Sequence, residues 1–312
     1  VYHARGLAST RKVRHAGDPM SRLYVVESRP TATGSMADHR FRLNPGQMGA
    51  FVAAIARAFG IDAPAPAVIG IPAAHIEAIA EDLRSHAGHA VVVPGEGRPA
   101  EAYALAMAIN AQLGAIGEIV ELFPMNDESA SDGGAALAAL TARLNAGRIG
   151  TLVVMGANPV HNAPGSWNFA EAFAKAPVRV TLSVGQSETA AASTWSLNGA
   201  HPLEAWGDVA ATDGTLSVVQ PMIAPLFEPA LSQIELLSLL VSKESAVNPD
   251  GYALVSRTWA SSSGAAEGSS RFEGVWRRAL HDGIAAGSTG RPAQARLRMM
   301  DVASAFRALP AA

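Results

Sequence analysis

The chain has 312 residues, 49% hydrophobic and 16% charged, with a formal net charge of −3. That is long and apolar enough for a full core and two domains, and its slightly acidic balance offers nucleic acid no basic field. With no cysteine anywhere, disulfides, iron–sulfur clusters and cysteine-ligated zinc are excluded within these residues, although the compartment is not thereby fixed. No stretch reaches the run of about 18 apolar residues that a membrane helix needs. The most apolar helix candidate, residues 102–116, is interrupted by Asn110, Gln112 and Gly114. The first residue is Val1 and no charged-then-apolar leader follows, which reads as a processed chain or a fragment.

Residues 23–28 (LYVVES) predict a strand, residues 29–40 a loop, and Pro45 the start of a helix carrying Met48, Phe51, Val52 and Ile55. Residues 61–67 (IDAPAPA) read as a linker, since prolines alternate with small residues. A rhythm then begins. Ile76, Ile79, Ala80 and Leu83 form one helical stripe, followed by a strand at 90–93 and a helix from Pro99 with Leu105, Ile109 and Leu113 on one side. A strand at 118–123 precedes a helix bearing Leu137, Leu140, Thr141 and Leu144, closed by Gly147 as its C′ residue. A strand at 151–155, a helix near 167–175 and a strand at 178–184 complete the series. Long helical patterns alternating with short, unbroken apolar strands predict the α/β class, a Rossmann-like parallel sheet with helices on both faces and strand ends in one row. After Ala190 the pattern is irregular. Ser232-x-x-Glu235 and Ser270-x-x-Glu273 read as capping boxes, and residues 261–270 (SSSGAAEGSS) as a flexible linker.

Two crests stand out, TLVVMGANP at 151–159 and RVTLSVGQSETA at 179–190. Each is a β-branched run stopping at a glycine, Gly156 or Gly185, before a polar loop and a helix, the place where open parallel sheets hold ligands. Gly156 lets backbone approach a ligand, Asn158 offers both a donor and an acceptor, and Pro159 holds Asn158 extended. Ser187 reads as a helix cap with Glu188 at the positive helix end. In the alternative reading, the Ser187 and Thr189 hydroxyls reach a phosphate that Glu188 would repel. Gly95, Gly97 and Ala100 formally satisfy G-x-G-x-x-G/A, but the pattern is not at a first βα turn, and Pro99 can serve as a helix N1 residue. His86 and His89 straddle a helix end and a strand start and are ill placed to share a metal. His161 and His201 lie near the crests without a sequence partner, and Trp167, Trp195 and Trp206 either seal a groove there or pack.

Residues 21–40 (SRLYVVESRPTATGSMADHR), 145–169 (NAGRIGTLVVMGANPVHNAPGSWNF), 187–190, 201–226 (HPLEAWGDVAATDGTLSVVQPMIAPL) and 277–283 (RRALHDG) carry a resemblance. They resemble the molybdopterin oxidoreductase superfamily and, within it, the B subunit of bacterial alternative complex III, a quinol:electron-acceptor oxidoreductase. The resemblance implies a molybdopterin-oxidoreductase-like domain empty of cofactor, fused in the whole subunit to a cysteine-rich domain with iron–sulfur clusters. It also implies a twin-arginine export signal and a periplasmic position at the membrane. The implied partners are pentahaem and monohaem cytochrome c subunits, integral-membrane quinol-binding subunits and the missing cysteine-rich domain. Iron–sulfur clusters and haems are then expected in those parts, with no cofactor, metal or catalytic residue in this chain.

In this reading residues 1–62 are the remnant of a preceding α/β domain and 63–230 the Rossmann-like domain. Residues 231–312 form a helical and irregular extension towards the cluster domain. In the cofactor-bearing relatives, loops like those at Gly156–Pro159 and at Ser187 and Thr189 hold the nucleotide ends of a pterin dinucleotide, so here these residues are a vestigial site. Residues 192–198 (ASTWSLN) stand where the family has an ADxVLP-like segment, with Trp195 in place of an acid, and a bulky indole there implies a filled pocket. The leading expectation is a structural and docking domain. Its competitors are a fragment of an active molybdopterin oxidoreductase and a dinucleotide dehydrogenase built on residues 95–100.

Overall fold

A computed structural model describes residues 2–64, 67–98, 100–124, 133–242, 250–264 and 266–294. The chain divides into two compact units, residues 1–122 with 292–312, and residues 123–291. The expected boundaries at 62/63 and 230/231 therefore both fall inside units, because apolar cores are built across them. Pro99, part of the 61–67 linker and the last eighteen residues of the extension lie outside the described residues.

The first unit begins with helix α1 (Tyr2–Ser9) and strand β1 (Tyr24–Glu27), followed by helix α2 (Ala32–Ser35) and strand β2 (His39–Arg42). The expected loop at 29–40 is thus a parallel crossover, with Tyr24 opposite His39 and Glu27 opposite Arg42. The HRFR sequence of β2 hid it, having neither an apolar run nor clean alternation. Thr31 caps α2 by accepting from Gly34 N–H, and Arg11 forks onto Asp38. A 3₁₀ turn at Pro45–Gln47 leads into α3 (Met48–Ala58), as Pro45 predicted, and α4 (Ala73–Ser85) and α5 (Ala100–Gln112) follow. Leu43, Ile55, Ile76, Ile79, Leu105, Ile109 and Leu113 close one core from these elements.

Two expected strands do not form. Residues 90–93 run without a neighbouring strand, and the side-chain amide of Asn110, 2% exposed, takes that neighbour's place. Its Oδ1 accepts Val92 N–H at 2.8 Å and its Nδ2 donates to Val92 C=O at 2.9 Å. Residues 118–120 fold back instead, and the N–H groups of Glu118, Ile119 and Val120 all donate to Ala115 C=O. Four or five apolar residues in a row cannot by themselves distinguish a strand from a buried turn.

The second unit opens with α6 (Gly133–Asn145), β3 (Thr151–Met155), α7 (Pro159–Asn162), a 3₁₀ turn at Gly165–Trp167, α8 (Phe169–Ala174) and β4 (Val178–Ser183). It continues through α9 (Glu188–Ala191), β5 (Trp195–Asn198), β6 (Gly207–Ala210), β7 (Leu216–Val219), α10 (Gln233–Val241), α11 (Gly251–Ser263) and α12 (Ser270–Asp282). Strands β3, β4 and β5 form a parallel sheet in that order, and β6 with β7 an antiparallel pair. The fold is α/β, parallel sheets flanked by helices, as expected. The described parallel strands nevertheless make separate sheets of two and three, so the expected single row of strand ends does not extend along the chain.

Leu144, Val154, Phe169 and Phe173 pack one core of this unit, and Val218, Val255, Trp259, Phe272 and Trp276 a second. Gly147 has φ +65°, consistent with its place after α6. Ser232 and Glu235 form the predicted reciprocal cap of α10. The second box is displaced by one residue, since Ser269 caps α12 by accepting from Phe272 N–H. Of the expected linker at 261–270, residues 261–263 end α11, Gly264 caps it in the left-handed region, Ser270 starts α12, and residues 266–269 run outside both helices.

Candidate functional site

Both crests lie at the carboxyl end of the three-stranded parallel sheet, where β3 and β4 run out into Gly156 and Gly185. Gly156 has φ +63° and donates its N–H to Leu182 C=O at 3.2 Å, tying one crest to the other. A side chain there would also collide with a neighbour, because an added Cβ would sit 2.7 Å from Gln233 Nε2. Gln233 is the first residue of α10. The sequence marks that helix start through its capping box, but nothing in it says that the helix begins over Gly156.

Asn158 is held by the other loop through both ends of its amide. Its Oδ1 accepts from both the N–H of Thr189 at 3.1 Å and its hydroxyl at 2.7 Å, and its Nδ2 donates to Glu188 Oε2 at 2.7 Å. Thr189 is fully buried, and its Oγ1 accepts Val160 N–H at 3.1 Å. Behind it, Ser193 Oγ bonds both Thr189 C=O and Thr181 Oγ1. Pro159 occupies the first position of α7. Ser187 caps α9 by accepting Ala190 N–H at 3.1 Å, as the capping reading expected. The five residues expected to bind a nucleotide thus come together where the two crests meet, and all five form or hold the two loops.

The crest carries negative charge. Asn158's amide, the backbone at the start of α9 and His161, whose Nδ1 lies 3.5 Å from Glu188, hold the Glu188 carboxyl below its usual range. Residues 156–163 and 184–194 contain no Lys or Arg. Helices α7 and α9 are four residues each, too short to add much dipole.

Trp195 does not fill the site. It opens β5 opposite Val180, at the far end of the strand from the crest, and is 65% exposed. Residues 195–198 of that segment form the edge strand of the sheet. Nor do the three tryptophans gather at the crest, since Trp206 stacks edge-on against Tyr252 in the second core while Trp167 is half-buried in its 3₁₀ turn. The Gly95–Ala100 pattern loses its context, because no strand precedes it and Gly95 C=O is taken by the Tyr103 hydroxyl. Among the described residues, no group of three or more His, Asp or Glu is placed to hold a metal.

No protein-family model matches the chain, and no curated protein matches it in sequence. Among solved structures it is similar in fold to the acetylene hydratase from Pelobacter acetylenicus, with a TM-score of 0.53 and 13% sequence identity. The match covers 70% of this chain but only 42% of that protein, so this chain spans less than half of it, and the likeness is one of fold.

Proposed function

We propose that this chain is a non-catalytic structural and docking domain of a membrane-bound respiratory quinol:electron-acceptor oxidoreductase, the alternative complex III, corresponding to part of its B subunit. The observation that carries the proposal is the closure of the crest. Asn158 is the residue best suited to read a base or phosphate, yet it spends its amide on Thr189 and Glu188. The pyrophosphate of a pterin dinucleotide needs donors and positive charge. The residues of the two loops do not fit it, because they offer an ionised Glu188 and no Lys or Arg, and the Gln233 side chain occupies the space over Gly156.

On this reading Gly156, Asn158, Pro159, Ser187 and Thr189 are a vestigial binding site reused as a brace. Electron transfer is carried by iron–sulfur clusters in the cysteine-rich part of the subunit and by haems in the pentahaem and monohaem cytochromes. Docking falls to exposed apolar surface such as Leu237, Leu240 and Val241, one stripe of α10. The chain works on the periplasmic side, held to the membrane through its integral-membrane quinol-binding partners. The family-like stretches at 21–40 and 201–226 support this assignment.

The competing reading is a fragment of an active molybdopterin-dependent oxidoreductase, favoured by the fold likeness to an enzyme. Elemental and pterin analysis of the purified native complex separates the two. The docking reading expects neither molybdenum, tungsten nor pterin bound to this subunit, and the enzyme reading expects one equivalent of metal.

A further inference from the structure

Beside the vestigial crest the second unit has a cavity of about 400 Å³, within the range of small-molecule sites. We propose that it binds a neutral, mostly apolar small molecule bearing one hydrogen-bond-accepting oxygen, which His201 recognises. This goes beyond the docking role and does not rest on it.

The cavity opens at the carboxyl end of β5, where Asn198 and Gly199 form its floor. Gly199 is required there, since an added Cβ would lie 2.9 Å from the Ser183 carbonyl carbon. Its walls are tied together. Glu204 accepts the N–H of His201 at 3.0 Å with one oxygen and the N–H of Leu226 at 3.3 Å with the other. Leu203 C=O accepts from both Met222 and Ile223, and Leu231 bridges to Asn198 and Ala200. Two distant stretches of chain are thus clamped on either side of the space.

Its chemistry selects the ligand. Leu203, Ile223, Leu226 and Phe227 present apolar surface, with Leu226 71% and Phe227 74% exposed, so an apolar body that covers them gains about 25 cal/mol per Å². His201 Nδ1 accepts Leu203 N–H at 3.2 Å, which assigns the ring proton to Nε2 and leaves that N–H as a donor. The Asn198 amide also has no partner among the described residues. No Lys or Arg lines the cavity and Glu204 does, so an anionic head is disfavoured and a neutral carbonyl oxygen suits the donor.

The test uses two probes of closely similar shape, 2-acetonaphthone, which carries the carbonyl, and 2-isopropenylnaphthalene, which has a methylene in place of its oxygen. Calorimetry and the His201 imidazole proton shifts follow their binding to the purified chain. The ketone is expected to bind about 3- to 10-fold tighter than the hydrocarbon, the worth of one neutral hydrogen bond. His201→Phe should equalise the two, and Ala230→Trp, which fills the space, should abolish both. Absence of ketone binding, equal affinities for the two probes in the unaltered protein, or binding that survives Ala230→Trp would each overturn the proposal. The comparison of the two probes needs no variant, so a folding defect in either substitution leaves it decisive, and pterin content is read independently.

Discussion

Asn158 makes three hydrogen bonds with its side chain, and truncating it removes all three at once. Asn158→Ala leaves the fully buried Thr189 with an N–H and a hydroxyl that have lost their acceptor. We expect a loss of about 1–3 kcal/mol in chemical denaturation, with the larger share from the orphaned buried donors. The same change frees Glu188. Its carboxyl sits low in the folded state chiefly because Asn158 donates to it. The stabilisation is therefore complete above the ordinary glutamate value of about 4.3 and is lost as pH falls through the folded value. In Asn158→Ala the Glu188 carboxyl should titrate closer to its ordinary value, read from carboxyl carbon shifts, and the fall in stability between neutral and acid pH should be shallower than in the unaltered protein.

At the scale of elements, a single polar side chain replaces a strand. Asn110, inside α5, meets both the N–H and the C=O of Val92 as a β-neighbour would. Asn110→Leu keeps the branching and the number of side-chain heavy atoms but removes both bonds, and should cost the first unit about 1–3 kcal/mol and speed exchange of the Val92 amide by at least tenfold. If exchange at Val92 is unchanged, the amide is not what holds that segment. Helix stripes, the Pro45 start, Gly147 and the Ser232–Glu235 box were legible because their causes are local. Strand β2, the short β5 and the β6–β7 pair were not, since their stability comes from partners distant in sequence and their residues are half exposed. The crest residues were legible as a group from two apolar runs ending in glycine. Their engagement with one another was not, because it depends on where α7 and α9 bring Asn158 and Thr189, and Gln233 reaches Gly156 only through the placement of α10.

At the scale of the whole molecule, the proposed docking role leaves chemistry to partners and rigidity to this chain. The exposed stripe on α10 is where that division is tested mechanically. Replacing Leu240 and Val241 together by Gln should leave thermal unfolding of the purified chain within a degree or two, since both side chains are exposed. On the proposed docking role, it should also weaken retention of the haem subunits in the purified complex about tenfold. The central claim, that the nucleotide-type crest is closed by its own residues, is tested most directly by the metal and pterin content of this subunit in the native complex. The expected result is that neither pterin dinucleotide nor molybdenum or tungsten is bound, and one equivalent of either bound at the crest beside Asn158 would contradict that claim.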